Sequence, residues 1–395
     1  MLIQCTKALL RELALEPDGI KEPHGYEDMP QALMAWHAGI VELGSDKAVV
    51  LMNNATRYPI VLYGAEPLDS GRIKHLIRDA VTETLSAEGI SSTIIGKYMA
   101  DAGEIEFSRT AGRTLVTRLN NTVDNICFHD GYLDERAVIQ RYLSIVGGRV
   151  IQTIVTGHMD FPIKVLMRYL GERYGETESG VRLPVIDVKA YQLKIQLEME
   201  GFHVWRRVVV PSTFSFRHLH NVIQIVFDWH NTHLHMFMTG QEGLSPRELI
   251  VMEDGPDSFG WARSADIIVL PERLTSLKDV LSRHGEVVYQ YDFGDMWIHR
   301  ITVEGTVRSN TFVAVYVDGK GDRPPEDVGG QSGYAEFSRI MASERHPRHE
   351  ALKAWAESQS PRQLIPEQIN KTLPDSVLVP GDYSPRWIWG TGAPS

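Results

Sequence analysis

What most constrains this chain is how its strands are joined. AVVLMNNATRYPIVLYG (48–64) is two apolar runs around Asn53-Asn54, and VVYQYDFGDMWIHRITVEG (287–305) is two more around Phe293-Gly294-Asp295. Short Asn, Asp and Gly turns between apolar runs join antiparallel strands, whereas parallel strands need a crossover of about a dozen residues or more. YQLKIQLEMEG (191–201) and HVWRRVVVP (203–211) alternate as adjacent strands, and THLHMFMT (232–239) reads as another. GEIEFSRTAGRTLVTRLNN (103–121) reads as a further hairpin through Ala111-Gly112. The expected fold class is therefore α+β, with mainly antiparallel sheets and strands in hairpins rather than βαβ units.

Helical spacing marks the elements between the strands. In 71–89 the apolar residues fall at 73, 76, 77, 81 and 85, and Gly89 ends the run. Met1 to about Leu15 reads as a strand entering a helix; 134–147, 161–175, 275–285, 334–343 and 350–359 read as helices. FSFRHLHNVIQIVFDW is a helix that Ser212 or Thr213 can cap, burying Leu219, Val222, Ile223 and Val226. GETESGVRLP (175–184) is a linker by composition. At 395 residues the chain divides into an N-terminal α+β domain, 1–175, a second α+β domain, 186–373, and a Pro/Gly/Ser-rich tail, 374–395, expected to be loosely ordered.

Charge and cysteine content remove several function classes. Net charge is −11, from 18 basic and 24 acidic residues before residue 181 and 22 and 27 after it, so neither half is a basic domain. That balance disfavours nucleic acid, whose phosphates are neutralised by Lys and Arg. Two cysteines, Cys5 and Cys127, cannot build a disulfide framework or a four-thiolate zinc site. There is no apolar run near 18–20 residues, and MLIQCTKALLREL carries charges within its apolar stretch, unlike a signal peptide. A cytoplasmic protein without membrane contact is expected. Phosphate-loop, dinucleotide and nucleophile-elbow motifs are absent, and the Asp-Phe-Gly triplet lacks the other kinase signatures.

Three clusters in the C-terminal half carry chemistry. They are Asp228-Trp229-His230-Asn231-Thr232-His233-Leu234-His235, the run from Tyr289 to His299, and Pro324-Pro325-Glu326-Asp327-Val328-Gly329-Gly330. His233 and His235 are two apart, which on a strand puts both rings on one face. With Asp292 and Asp295 from the tight turn they form a candidate ligand set for zinc, manganese or iron. The wider candidate binding set is His233, His235, Tyr291, Asp292, Asp295, Trp297, His299, Glu326 and Asp327. Each has a plainer reading: the histidines hydrogen-bond to neighbours, Asp292 and Asp295 close the turn, and the tryptophans fill the core. His37 is read as a structural histidine, and a Cys–His dyad of Cys127 with His129 is disfavoured.

The motifs YQLKIQL, Val204-Trp205-Arg206-Arg207, Phe227-Asp228-Trp229, His233-Leu234-His235, YQYDFGDMWIH and PPEDVGG with Gly333-Tyr334 stand in an order that resembles the plasmid pRiA4b ORF-3-like family. The resemblance spans about 189–345. It implies a compact α+β domain with a mostly antiparallel sheet, and bacterial, mobile-element origin; it implies no established activity. Members of that family often carry a cysteine pair before PPED; Tyr316 and Arg323 stand there instead, which puts any thiol-based role in doubt. MLIQCTKALL, Trp36-His37-Ala38, the 48–64 hairpin and the 103–121 segment resemble a second bacterial family of unknown function.

Convergent polar residues without a recognisable catalytic dyad point to a binding or adaptor module with a polar pocket for a small ligand or a protein partner. The alternatives are a metal-dependent hydrolase acting on phosphodiesters or nucleotides, with Glu326 or Asp327 as base, and nucleic-acid handling linked to transposition or plasmid maintenance. The sequence leaves open whether any reaction is catalysed.

Overall fold

The computed structural model describes residues 1–14, 20–21, 31–64, 70–154, 157–240, 248–252, 267–359 and 365–378. The chain forms two units, Met1–Val188 and Lys189–Ser395. The turn-rich 175–184 segment lies inside the first.

In the first unit β1 (Leu2–Cys5) runs into α1 (Lys7–Glu12), whose N-terminus is capped by the Thr6 hydroxyl. Then follow β2 (Ile20–Lys21), β3 (Ala35–Leu43), β4 (Asp46–Asn53) and β5 (Pro59–Tyr63). Next come α2 (Ser70–Ala87), α3 (Ser92–Ala102), β6 (Glu106–Arg109) and α4 (Arg113–Phe128). The unit ends with α5 (Arg141–Gly147), β7 (Gln152–Thr153), β8 (Met159–Asp160) and α6 (Pro162–Tyr174). The main sheet has the order β2-β6-β1-β3-β4-β5. β3, β4 and β5 form the expected antiparallel meander.

Three expectations for this unit are corrected. β1 lies between parallel partners, β3 and β6, so its central strands are not all in hairpins. The 103–121 stretch is a strand followed by a helix. Gly112, at φ 76°, is the N-cap of α4, and Leu119, Thr122 and Ile126 form the buried stripe of that helix. Of 134–147, only the part from Arg141 is α-helical.

The second unit opens with β9 (Val188–Leu197), β10 (Val204–Pro211) and α7 (Phe216–Phe227). β11 (His235–Thr239), β12 (Glu248–Val251), β13 (Ile268–Pro271) and α8 (Leu277–Leu281) follow. β14 (Glu286–Tyr291), β15 (Trp297–Ser309) and β16 (Val315–Lys320) precede α9 (Gly330–Met341), α10 (His349–Glu357), α11 (Pro366–Thr372) and α12 (Asp375–Leu378). The eight-stranded sheet has the order β13-β12-β11-β14-β15-β9-β10-β16. Its pairs are antiparallel except β12 with β13. The cap of α7 is Ser215, three residues beyond Ser212, with His218 closing a capping box. α7 is buried on nearly every side: Leu219, Val222, Ile223 and Val226 join the sheet's core, and α11 and α12 pack on it as well. Of the tail from Pro374, α12 packs on α7; 379–395 lie outside the described residues.

No helix among the described residues is long and apolar enough to cross a membrane.

Candidate functional site

Three loops at one end of the second sheet meet. The first leaves α7. Asp228, at φ 59°, ends the helix in the left-handed conformation, and Trp229 turns fully inward. The second is the β14–β15 turn, where Asp292 has φ 58° and Met296 φ 60°. The third, between β16 and α9, holds Asp327 at φ 56°. Buried Arg323 ties the third loop to the first. Its Nε and Nη2 donate to the Asp228 carbonyl at 2.9 and 2.6 Å, and its guanidinium lies 4.8 Å over the Trp229 ring. Asp295 Oδ2 accepts the Gly329 N–H at 3.1 Å, which joins the second loop to the third.

His233, Asp292, Glu326 and Asp327 converge where these loops touch. His233 Nε2 lies 3.7 Å from Asp292 Oδ2, 3.7 Å from Glu326 Oε2 and 3.3 Å from Asp327 Oδ1. One donor atom from each of His233, Asp292 and Asp327 lies within 4.8 Å of the others. Glu326 is held hard: its Oε1 accepts the His230 N–H at 2.8 Å, and Gln359 brackets its backbone at 2.9 and 3.2 Å. Its Oε2 is buried and has no hydrogen-bond partner, and the same is true of His233 Nε2. Burial raises the Glu326 carboxyl above its ordinary range, against the pull of Arg323 and the His230 N–H. Asp327 is 72% exposed at its side chain, so the cluster opens to solvent on that side.

The two histidines of the His-x-His pair separate. β11 begins only at His235, and His233 belongs to the loop before it, where Asn231 has φ 53°. Alternation on a strand therefore does not govern the pair. His235 points inward. Its Nε2 bonds Glu272 Oε2 at 2.8 Å, and its ring stacks on His220 with centroids 3.5 Å apart. Arg217 Nη1 reaches the other Glu272 oxygen at 2.8 Å. Burial alone would raise the Glu272 carboxyl; the charge and hydrogen bond of His235, with Arg217, outweigh it and hold the group well below the carboxylate range. Burial, helped by the charges of His235 and Arg217, pushes His220 well down.

The remaining candidates frame the cluster rather than face it. Tyr291 is buried; its hydroxyl accepts the Thr232 N–H at 3.1 Å and lies 3.4 Å from Glu326 Oε1. Trp297 stacks on Trp229 in the core. His299 accepts the Trp229 indole N–H at 3.1 Å, and burial pushes it down to about 3. Asp292 Oδ1 also accepts the Gly294 N–H at 2.8 Å, so the turn-closing role and the cluster role share one carboxylate. Glu272, Arg217 and His220 form a buried network that no sequence spacing announces. The sequence marks Arg323 only as a departure from a cysteine, and nothing in its context reveals its bracing role.

Beside Asp327 a groove of about 360 Å³ is lined by Phe337, Leu352, Trp355 and the Glu336–Arg348 ion pair.

Two family models match the chain. Residues 2–165 match a domain of unknown function (DUF6933), and residues 189–371 match the plasmid pRiA4b ORF-3-like protein. Uncharacterized protein y4hQ of Sinorhizobium fredii (strain NBRC 101917 / NGR234) is 34% identical over 188 residues, covering 47% of this chain and 90% of the relative. A crystal structure of a protein of unknown function, MM3350, from Methanosarcina mazei Go1 is 29% identical, covers 42% of this chain and 88% of its own, and gives a TM-score of 0.36. Through its C-terminal unit, which carries all three loops of the site, the chain belongs to the plasmid pRiA4b ORF-3-like family.

Proposed function

We propose that the C-terminal unit is a binding module whose polar pocket holds a divalent transition metal on His233, Asp292 and Asp327, with Glu326 beside it. One observation carries the reading. His233 Nε2 and Glu326 Oε2, 3.7 Å apart, are both buried and both without a hydrogen-bond partner. Buried polar groups are nearly always satisfied, so a facing pair of acceptor-capable atoms calls for something between them. Metal bonds of about 2.1 Å in tetrahedral geometry place ligand atoms about 3.4 Å apart. The 3.3–3.7 Å spacings around His233 fit that. One imidazole with carboxylates suits zinc, manganese or iron. The exposed side at Asp327 leaves a coordination position for a ligand, whose body the adjacent groove would accept.

Protein purified without an affinity tag or chelator, analysed by elemental mass spectrometry, tests this. Near-stoichiometric metal in the wild type, lost in His233→Ala, supports it. No metal, and none taken up on titration, sinks it.

A second reading, a metal-dependent hydrolase, rests on the unpartnered Glu326 Oε2. A carboxylate oxygen at that position would lie within reach of a metal-bound water and could take its proton. Turnover of a generic phosphodiester that Glu326→Gln abolishes, with metal content unchanged, would favour it over simple binding.

A further inference from the structure

Several cations of the N-terminal unit are neutralised by a carboxylate. Lys47 meets Glu12 at 3.1 Å, Arg149 meets Glu88 at 2.7 Å and Arg173 meets Asp101 at 2.7 Å. Lys74 and Arg78 on α2 are half-buried, and neither is paired with a carboxylate among the described residues. Both are fixed all the same. Arg78 Nη1 donates to the Gly103 carbonyl at 2.7 Å, at the end of α3, and the Lys74 ammonium lies 5.6 Å over the Phe107 ring. Residues four apart share a helix face, so these like charges oppose the helix that carries them. Holding the two side chains in place costs rotamer freedom as well. Two cations gathered and fixed without being neutralised are preorganised for an anion that comes from outside.

A cavity stands at that place. Between α2 and the end of α3 lies a groove of about 560 Å³, within the range of about 300–1,000 Å³ that small-molecule sites occupy. Lys74, His75 and Arg78 line it from α2. Met99 and Ile105, both buried, give it an apolar side. Glu104 is the one carboxylate in its lining and is ion-paired with none of the three basic residues.

We propose that this groove binds a small phosphate monoester with an apolar body. Arg78 and Lys74 take the phosphoryl oxygens, His75 stands beside them as an imidazole donor, and Met99 and Ile105 receive the body. A phosphate monoester carries about −1.5 to −2 at neutral pH, which matches two cations better than the single charge of a carboxylate does. Guanidinium pairs with two phosphate oxygens at once, and ammonium adds a point charge that needs no fixed geometry.

The test titrates the full chain with phenyl phosphate by calorimetry, with benzoate and inorganic phosphate as contrasts at equal ionic strength. Wild type should bind phenyl phosphate saturably. It should bind about tenfold or more weakly both benzoate, which lacks the second charge, and inorganic phosphate, which lacks the ring. Arg78→Gln and Lys74→Gln should each weaken binding by about tenfold or more, the typical size of one lost charged hydrogen bond. Ala100 is exposed and lines the groove, so Ala100→Glu brings a negative charge into it. That variant should lose binding while its urea midpoint stays that of wild type. No saturable binding by wild type, or binding retained in all three variants, overturns the site. Benzoate bound as tightly as phenyl phosphate overturns the assignment to a phosphoryl group, and inorganic phosphate bound as tightly overturns the assignment of an apolar body.

Discussion

Replacing Asp292 by Asn separates the two jobs that this carboxylate combines. The first is to close the β14–β15 turn, where Oδ1 accepts from the Gly294 and Asp295 amides at 2.8 and 3.3 Å and the backbone has φ 58°. Asparagine keeps an oxygen acceptor and tolerates the left-handed conformation, so the turn survives. The second job is charge. Asp292 and Asp327 offer carboxylate oxygens within 4.8 Å of each other. Two negative charges at that distance repel by about 3 kcal/mol at an effective dielectric of 20 and about 1 kcal/mol in water. Asp327 is mostly exposed, so the lower figure applies. In chelator, D292N should therefore be as stable as wild type or more stable by about 1 kcal/mol. In excess metal the order reverses. A ligand held at 100 times its Kd adds about 2.7 kcal/mol to the native state, and D292N forfeits most of it.

Urea unfolding followed by tryptophan fluorescence reads this, since Trp229 and Trp297 are fully buried in the second unit. Wild type and D292N are compared with EDTA and with zinc or manganese. The reasoning fails if zinc and manganese leave the wild-type midpoint unmoved while D292N loses more than about 2 kcal/mol in EDTA. Asp292 would then be a turn residue alone.

Three further outcomes are expected. Glu272→Ala should cost about 3–5 kcal/mol, because it leaves Arg217 and His235 facing each other in the core, and urea titration measures it. Stability of the second unit should be complete above about pH 6.5 and fall as pH drops: burial holds His299 and His220 neutral in the fold, whereas the unfolded chain protonates them. For His299, at about 3, the loss is about 1.4 kcal/mol per pH unit, or about 2 kcal/mol by pH 5. A urea midpoint unchanged between pH 7 and pH 5.5, above the carboxylate range, would contradict that. Gly330→Ala should displace the third loop, since φ is 67° and a Cβ would come 2.7 Å from the Asp295 carbonyl; lower metal uptake with little change in overall fold is the expected readout.

What the sequence revealed and hid follows from the range of the forces involved. The hairpins at 48–64 and 287–305 were legible because apolar runs and turn residues are local signals, and the paired residues lie close in sequence. The parallel placement of β1 was not, since Leu2 pairs with Ala35 and with Glu106, choices made by tertiary packing across long stretches of chain. Ala111-Gly112 imitates a hairpin turn. The helical period of α4 becomes plain only when Thr122 and Ile126, beyond the segment read, are added to Leu119. For the site, residue types were visible and directions were not. Of the seven non-glycine residues with positive φ among the described residues, five are Asp228, Asn231, Asp292, Met296 and Asp327, all on the loops that build it. Those torsions turn His233 out toward three carboxylates while His235, two residues on, enters the core. Alternation rules assume regular backbone, so they fail where the backbone is least regular. Such conformations persist only where surrounding contacts enforce them. Here Arg323 and Asp295 lock the three loops together through long-range hydrogen bonds, and Gln359, just past α10, holds the third in place. A cluster on loops fixed to one another in this way can keep like charges close, and that is what a cation site requires before the cation arrives.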